Sequence, residues 1–285
     1  MLGYKANLSG RIASFFGDEL VVGAFYHGFV LIFFSYLVNI NLNKYILPLL
    51  IICIIVISFL IGERSNFIKL SISVLIFFLA ITKINYKIII PMIIILLISF
   101  FSIINLNDEY KKRYLYQFIP THDASPALRL SGSVFSLNGY FDFMKKSQHG
   151  AHRISAYQIF RDNIYTGVGI KNFRDVVAEK KYENNEYLLT KLRHGTHPHQ
   201  IHYEFLSETG IIGYISFSIF ILFSLFLAIK SYSNSKNLYQ LSGIIFVITS
   251  LLPLIPSGSF FSTFGGGIFW LNFAIMFGNY KNIKF

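Results

Sequence analysis

The sequence predicts an all-α integral membrane protein with about seven transmembrane helices and one large, partly helical extracytoplasmic loop. Composition is the first reason. Of the 285 residues 54% are hydrophobic and only 14% are charged, whereas soluble domains carry about 25% charged residues. The mean hydropathy of +0.54 agrees. A soluble enzyme or a nucleic-acid-binding chain is therefore disfavoured, in spite of the net charge of +11.

The second reason is that the apolar residues are concentrated in long segments. A membrane helix needs about 17–25 largely apolar residues, and these segments are rich in Ile, Phe and Leu without the alternation typical of strands. The second and third are short. The candidate spans are residues 20–42, 46–62, 67–83, 88–105, 209–229, 239–255 and 261–279.

The lysines between these segments predict the orientation. Cytoplasmic loops carry an excess of Lys and Arg, and alternate connections here contain lysine without any acidic residue. This places residues 106–205 on the outer side of the membrane, which is the periplasmic face of the inner membrane if the source is a Gram-negative bacterium. The lysines of the connections assigned to the cytoplasm are Lys44, Lys83, Lys87, Lys230, Lys236, Lys281 and Lys284.

Three regions follow from this orientation. Residues 1–105 hold about four transmembrane helices, residues 106–205 form the periplasmic loop, and residues 206–285 hold about three more helices. The N-terminus then lies outside the cytoplasm, which suggests the C-terminal part of a longer protein. Cys53 lies in an apolar run, so neither a disulfide framework nor a thiolate metal site is expected.

The loop concentrates the residues that can carry chemistry, including seven of the eight histidines. Pro198 is well placed to open a helix, on which His199 and His202 would share a face. Three interpretations stay open. One is a zinc site of His197, His199 and His202 with Glu204 or Glu208 in support. The second is a single catalytic imidazole, and the third is a set of polar residues that cap and solvate the helix.

Two arginines and two glycines are further candidates. Arg64 lies in a tight outer turn, as an interfacial anchor or an anion ligand. Arg153 heads a predicted helix, as a solvated charge or a ligand for phosphate, which the arginine fork binds well. Gly167 and Gly169 indicate a turn and match no complete nucleotide-binding fingerprint.

Taken together, these segments resemble the O-antigen ligase and polymerase family of bacterial membrane glycosyltransferases. In residues 196–213, His199 and Gln200 followed by Gly210-x-x-Gly213 are similar to the family's His-Asn and Gly-x-x-Gly signature, with Gln200 in place of the usual Asn. The further similarities are Arg153 with Tyr157, Gly167-x-Gly169-x-x-Asn172-Phe173, the turn Gly62-Glu63-Arg64-Ser65, and Arg11 to Gly23, a segment that looks like the polymerases of the family.

The resemblance implies a metal-independent, inverting transfer of a glycan from a polyprenyl diphosphate carrier to a sugar hydroxyl, without a cofactor. His199 would be the general base, and Arg64 and Arg153 would bind the diphosphate and stabilise it as it leaves. The partners implied are the lipid-linked donor, a glycan or lipid-core acceptor, membrane lipid and a chain-length regulator, with no nucleic acid. Substrate-binding roles are expected for Arg11, His197, Gln200, His202, Gly167 and Gly169.

Two other functions stay open at this point. A polysaccharide or lipid transporter would need polar residues along its spans, and these are scarce. A non-catalytic remnant would lack helices that complete the groove for the carrier lipid.

Overall fold

The computed structural model describes residues 12, 21–41, 46–81, 86–111, 114, 148–183 and 193–278. All regular secondary structure in these residues is helical. The α-helices are α1 (Val22–Asn39), α2 (Ile46–Ile61), α3 (Arg64–Ile81), α4 (Tyr86–Leu106), α5 (Asp108–Lys111), α6 (Gln148–Asp162), α7 (Phe173–Val176), α8 (Ile201–Ser235), α9 (Leu238–Ser250) and α10 (Thr263–Phe277), with a 3₁₀-helix at Lys180–Tyr182.

This confirms the all-helical fold class for the described residues, since each of the seven apolar segments contains helical residues. By length and composition, α1, α3 and α8 are able to cross a membrane. Shorter apolar helices are α2, α9, α10 and Ile93–Leu106 of α4. The number of spans stays a prediction.

The chain divides into two compact units. Unit 1 is Met1–Leu115, Leu225–Ser250 and Gly267–Phe285, and unit 2 is Tyr116–Ser224 and Leu251–Gly266. The core of unit 1 is formed by apolar side chains of α1, α2, α3 and α9. Its buried members are Val30, Leu31, Phe34, Leu37, Ile51, Ile54, Ile55, Leu70, Val74, Phe77, Leu241 and Ile245.

Unit 1 also contains a small polar cluster that joins three helices. Nε2 of His27 on α1 lies 3.0 Å from Oγ of Ser73 on α3 and 3.2 Å from Oγ1 of Thr249 on α9. The two hydroxyls lie 2.8 Å apart, and Lys69, one turn before Ser73, is buried as well. Polar side chains that hydrogen-bond to one another in this way link helices for which apolar burial alone gives little preference.

Unit 2 contains α6, α7, the 3₁₀-helix, the first part of α8 and the segment 251–262, which is not helical. One apolar cluster among its described residues lies where α6, α7 and the 3₁₀-helix meet. The buried members are Ala156, Ile159, Phe173, Val177 and Tyr182.

Two parts of unit 2 cross at a break in α8. Gly210 has φ 65° and ψ −171° inside the helix, a conformation that is essentially restricted to glycine. The break lets helix backbone bond to the segment after α6. The N–H groups of Val168 and Gly169 donate to the carbonyls of Ser207 and Glu208, at 3.0 and 2.8 Å.

Candidate functional site

Gln200 fixes the start of α8. Its backbone carbonyl accepts the N–H of Glu204 at 3.0 Å. Its side-chain Oε1 accepts the N–H of Tyr203 at 3.0 Å, which makes it the N-cap of the helix. The side-chain Nε2 donates to the carbonyl of Pro253 at 2.7 Å. The amide predicted to bind substrate therefore caps α8 and attaches it to the 251–262 segment.

His199 lies just before this helix, in an unusual backbone conformation. Its φ is +54°, in the left-handed region, where His is one of the few non-glycine residues that recur. Its carbonyl accepts the N–H of Ser257 at 2.9 Å. The helix begins at Ile201 rather than at Pro198, so the expectation that His199 and His202 share a helix face is wrong.

The turn brings four histidines together. The ring of His199 lies 4.0 Å, centroid to centroid, from His197. It lies 5.0 Å from His152, with the two planes only 23° apart, and 5.3 Å from His149, at an angle of 72°. Since His149 and His152 lie on α6, about fifty residues earlier in the chain, this cluster of four imidazoles is a product of the tertiary fold.

Arg153 belongs to the same neighbourhood. It follows His152 on α6, and its Nη2 donates to the carbonyl of Leu254 at 3.2 Å. His199 contacts Ser257, three residues further along the same segment. Three residues of extended chain span at most about 11 Å, so the structure brings Arg153 and His199 to one part of unit 2.

Burial determines the charge of His197. Desolvation is the main cause that lowers the pKa of His197 to about 4; a hydrogen bond with the Ser257 backbone opposes the change, and electrostatic interactions with His152 and Arg174 add to it. His197 is therefore neutral at neutral pH.

The hydrogen-bond partners of His202 are not the four histidines. Its Nε2 donates to the carbonyl of Leu251 at 2.9 Å, and its Nδ1 lies 3.1 Å from the hydroxyl of Tyr214. These bonds fix the tautomer. Among the described residues no three His, Cys, Asp or Glu side chains are arranged to hold a metal ion. Of the three histidines in the zinc interpretation, His197 and His199 lie close together, whereas His202 bonds to Leu251 and Tyr214.

Glu204 fastens the 251–262 segment to α8. The side chain is 1% exposed. It accepts a hydrogen bond from the hydroxyl of Ser259 and another from the N–H of Phe260, the latter at 2.8 Å. Sequence reasoning placed Glu204 only in support of a metal site, whereas the structure provides its carboxylate with two donors from one segment.

Gly167 and Gly169 lie at the break in α8. A Cβ on Gly167 would lie 2.4 Å from the carbonyl carbon of Glu208, and one on Gly210 would lie 2.4 Å from that of Tyr165. The backbones therefore approach too closely at these points for any other residue. The carboxylate of Glu208 accepts the N–H of Lys171 at 2.7 Å. These contacts account for the glycines structurally, and a role in substrate binding stays a prediction.

Arg64 and Arg11 complete the predicted set. Arg64 is the first residue of α3 in unit 1. It follows Glu63, whose carboxylate accepts the N–H of Gly23 at 2.9 Å and the side-chain amide of Asn66 at 2.6 Å. The start of α3 is thereby tied to the start of α1. Arg11 lies outside the described residues, so its role stays a prediction.

Sequence reasoning missed two parts of this site. It counted His149 and His152 among the loop histidines without assigning them a role, although their i, i+3 spacing just before Arg153 places them on one helix face. It also included residues 251–255 in the predicted span 239–255, although they are not helical. The combination of Pro253, Pro256 and Gly258 in an apolar run was a sign of irregular backbone there.

This geometry describes a helical membrane protein with a site rich in histidine and arginine, and comparison with known proteins identifies its family. The family model described as O-antigen ligase matches residues 49–218, more than half of the chain. The chain belongs to this family. Comparison with curated proteins and with solved structures returned no match.

Membership has consequences for function at a general level. It assigns the chain to glycosyl transfer of the O-antigen ligase or polymerase type, in O-antigen and lipopolysaccharide biosynthesis. It also implies substrates that are polyprenyl-linked glycans and a lipid environment. The matched region includes α6, α7 and the first part of α8, and within it lie the four histidines and Arg153.

Proposed function

We propose that the protein transfers a glycan from a polyprenyl diphosphate carrier to a sugar hydroxyl, with inversion at the anomeric carbon and without a metal ion. The observation that carries the proposal is the backbone conformation of His199 and the contacts that hold it. Its ring belongs to a residue in a left-handed turn, held by Ser257 on one side and by the cap of α8 on the other. Imidazole is the side chain most often used to accept a proton in catalysis, and the turn fixes the backbone from which this one projects.

The reaction balances with these groups alone. The acceptor hydroxyl gives its proton to His199 while its oxygen forms a bond to the anomeric carbon of the donor. The bond between that carbon and the diphosphate oxygen breaks, and the leaving polyprenyl diphosphate keeps the electron pair. Proton transfer of this kind contributes about 10²- to 10⁴-fold to a rate.

Arginines take the part that a metal ion plays in other enzymes that release a diphosphate. A guanidinium has five N–H donors, so Arg153 is able to bond the carbonyl of Leu254 and a phosphate oxygen together. By resemblance we assign Arg64 to the diphosphate as well, and its neighbour Glu63 fixes the helix start on which Arg64 lies. Positive charge at the leaving group stabilises the transition state more than the ground state.

The remaining predicted residues take secondary roles in this proposal. We assign His197, which is neutral at neutral pH, to hydrogen-bond an acceptor sugar. Gln200 and His202 orient the start of α8 through Pro253 and Leu251. Arg11, Gly167 and Gly169 are assigned to the donor side by resemblance alone.

We further propose that seven helices cross the bacterial inner membrane and that residues 106–205 face the periplasm. The lysine-only connections support this orientation. A chain-length regulator is the protein partner that fits a polymerase. Cysteine labelling from the two sides of the membrane, at exposed Tyr165 and at exposed Lys230, tests the orientation.

The experiment for the activity uses purified protein in lipid nanodiscs with a polyprenyl diphosphate-linked oligosaccharide and EDTA. We expect longer or transferred glycans, and NMR of the product should show an inverted anomeric configuration. His199→Ala should lower the rate at least about 100-fold, whereas His194→Ala, an exposed histidine of the same loop, should not. Full activity of His199→Ala, or movement of the lipid-linked glycan across the bilayer without a new glycosidic bond, would overturn the proposal.

A further inference from the structure

We propose that His152 is a positioning residue for this reaction, which holds the imidazole of His199 in place by stacking against its face. The inference rests on the proposed function, because it assumes that His199 accepts the proton. It adds a residue that neither the motifs of the sequence nor the family match assigns to the site.

The stacking geometry is the first argument. The two rings lie 5.0 Å apart and are inclined by only 23°, an arrangement in which flat rings contact face to face. Stacked rings restrict each other's tilt. The contact therefore suits His152 to orient the ring of His199.

The surroundings of His152 are the second argument. The side chain is 1% exposed and projects from a regular helix, α6. On another side, its Nε2 and Cε1 lie 3.2 and 3.3 Å from the point where a Cβ of Gly195 would be. The ring is thus confined between the backbone at Gly195 and the ring of His199. Because the ring of His152 has little room to move, it can restrict the motion of the more exposed ring of His199.

The need for such a support is the third argument. His199 lies outside the helix, so no neighbouring helical turn restricts its side chain, and the residue remains partly exposed. His149 contacts the same ring through an edge-to-face arrangement at 5.3 Å, which limits rotation from a second direction. A displacement of about 1 Å in a reacting group can cost about 100-fold in rate.

The test compares three substitutions at position 152 in the nanodisc assay, with His194→Ala as the matched control. Phe keeps a flat ring without nitrogen atoms, Leu keeps apolar volume without a flat ring, and Ala removes both. We expect His152→Phe to stay within about 3-fold of the wild-type kcat. His152→Ala and His152→Leu should lose about 10- to 100-fold in kcat with the donor KM unchanged, because only the base is misplaced.

Each outcome decides the question. Wild-type kcat in His152→Ala and His152→Leu would overturn the positioning role. A kcat in His152→Phe as low as in His152→Leu would also overturn it, because the nitrogen atoms rather than the ring face would then matter. If His152→Ala does not fold, the comparison of kcat between His152→Phe and His152→Leu is sufficient to decide. Absence of transfer by the wild-type protein, or full activity of His199→Ala, would instead show that the proposed function has failed, and the inference with it.

Discussion

Unit 1 and unit 2 are both helical in the described residues, yet different interactions define them. In unit 1, a dozen buried apolar side chains from four helices form the core, and the polar contribution includes the cluster of His27, Ser73 and Thr249. In the described residues of unit 2, apolar side chains form separate clusters, one near α6 and one of phenylalanine rings around Phe205. Side chains bonded to backbone, as at Gln200 and Glu204, hold the 251–262 segment.

The backbone shows the same contrast. In unit 1 the described residues with positive φ, Asn41, Gly62 and Lys236, lie within two residues of the end of a helix, where such conformations are common. In unit 2, His199 lies at the centre of the candidate site and Gly210 interrupts a helix. In unit 1 such backbone thus occurs only where described helices end, whereas the site in unit 2 has unusual backbone that surrounding contacts maintain.

The largest effect should come from removing the strained glycine of unit 2. Gly210→Ala places a Cβ 2.4 Å from backbone atoms of Tyr165 and forces a glycine-only conformation on alanine. We expect a loss of about 3–5 kcal/mol in the free energy of unfolding, measured by thermal and denaturant unfolding in detergent. Gly258→Ala is the control, because a Cβ there meets no atom within 4 Å. Equal stability of the two variants would show that unit 2 does not depend on this crossing.

Glu204→Ala tests whether side chain to backbone bonds fasten the 251–262 segment. The substitution leaves the partly buried hydroxyl of Ser259 and N–H of Phe260 without their acceptor; a fully buried group in this state costs about 1–3 kcal/mol. We expect a loss of about 2–4 kcal/mol in unfolding free energy and faster hydrogen exchange at Phe260. The exposed Glu179, changed to Ala in parallel, should cost less than about 0.5 kcal/mol. Wild-type exchange in Glu204→Ala would contradict the assignment.

Unit 2 should contribute to the pH dependence of stability through His197. The pKa of His197 is about 4 in the folded protein against 6.5 for the free side chain, so the unfolded state binds more protons between these values. Lowering the pH from 7 to 4 should therefore reduce the unfolding free energy, by about 1–3 kcal/mol, with no further loss from this group below about pH 4. His197→Gln should flatten the curve in that window. An unchanged slope would assign the acid sensitivity to other groups.

The smallest effect is expected in the polar cluster of unit 1. Ser73→Ala and Thr249→Val each remove one hydroxyl from the neighbourhood of His27. Hydrogen bonds between apolar helices are worth about 0.6 kcal/mol on average, and at most about 1.7. We expect about 1 kcal/mol for each variant and less than the sum for the pair, because the two hydroxyls lie 2.8 Å apart. A strictly additive double-mutant cycle would show that they act independently.

The helices were predictable because their signal is local. Continuous apolar runs specify α1 and α2 without knowledge of their neighbours, and both form within their predicted segments. The predicted segment 239–255 extends beyond α9, which ends at Ser250. The backbone after Ser250 bonds to Gln200, His202 and Glu204 instead of continuing the helix. Composition does not show that these side chains replace helical hydrogen bonds.

The site was predictable only in part. His199 and Arg153 were selected from motifs, whereas the choice of His202 as a partner of His199 failed because the helix begins too late to include His199. His152, the ring that stacks on His199, received no role. Contacts between residues far apart in the chain, such as His152 and His199, produce no periodic pattern in the sequence, so the sequence alone does not reveal them.

Residue types read in order were enough to establish an apolar helical chain, an orientation hypothesis and a family resemblance. They could not show which rings meet His199 or why Gly167 and Gly210 have no side chain, and these points came from the folded chain. Such features arise where α6 and the segment after it contact α8 and the 251–262 segment. There, backbone groups that leave regular helices find their hydrogen-bond partners in distant parts of the chain.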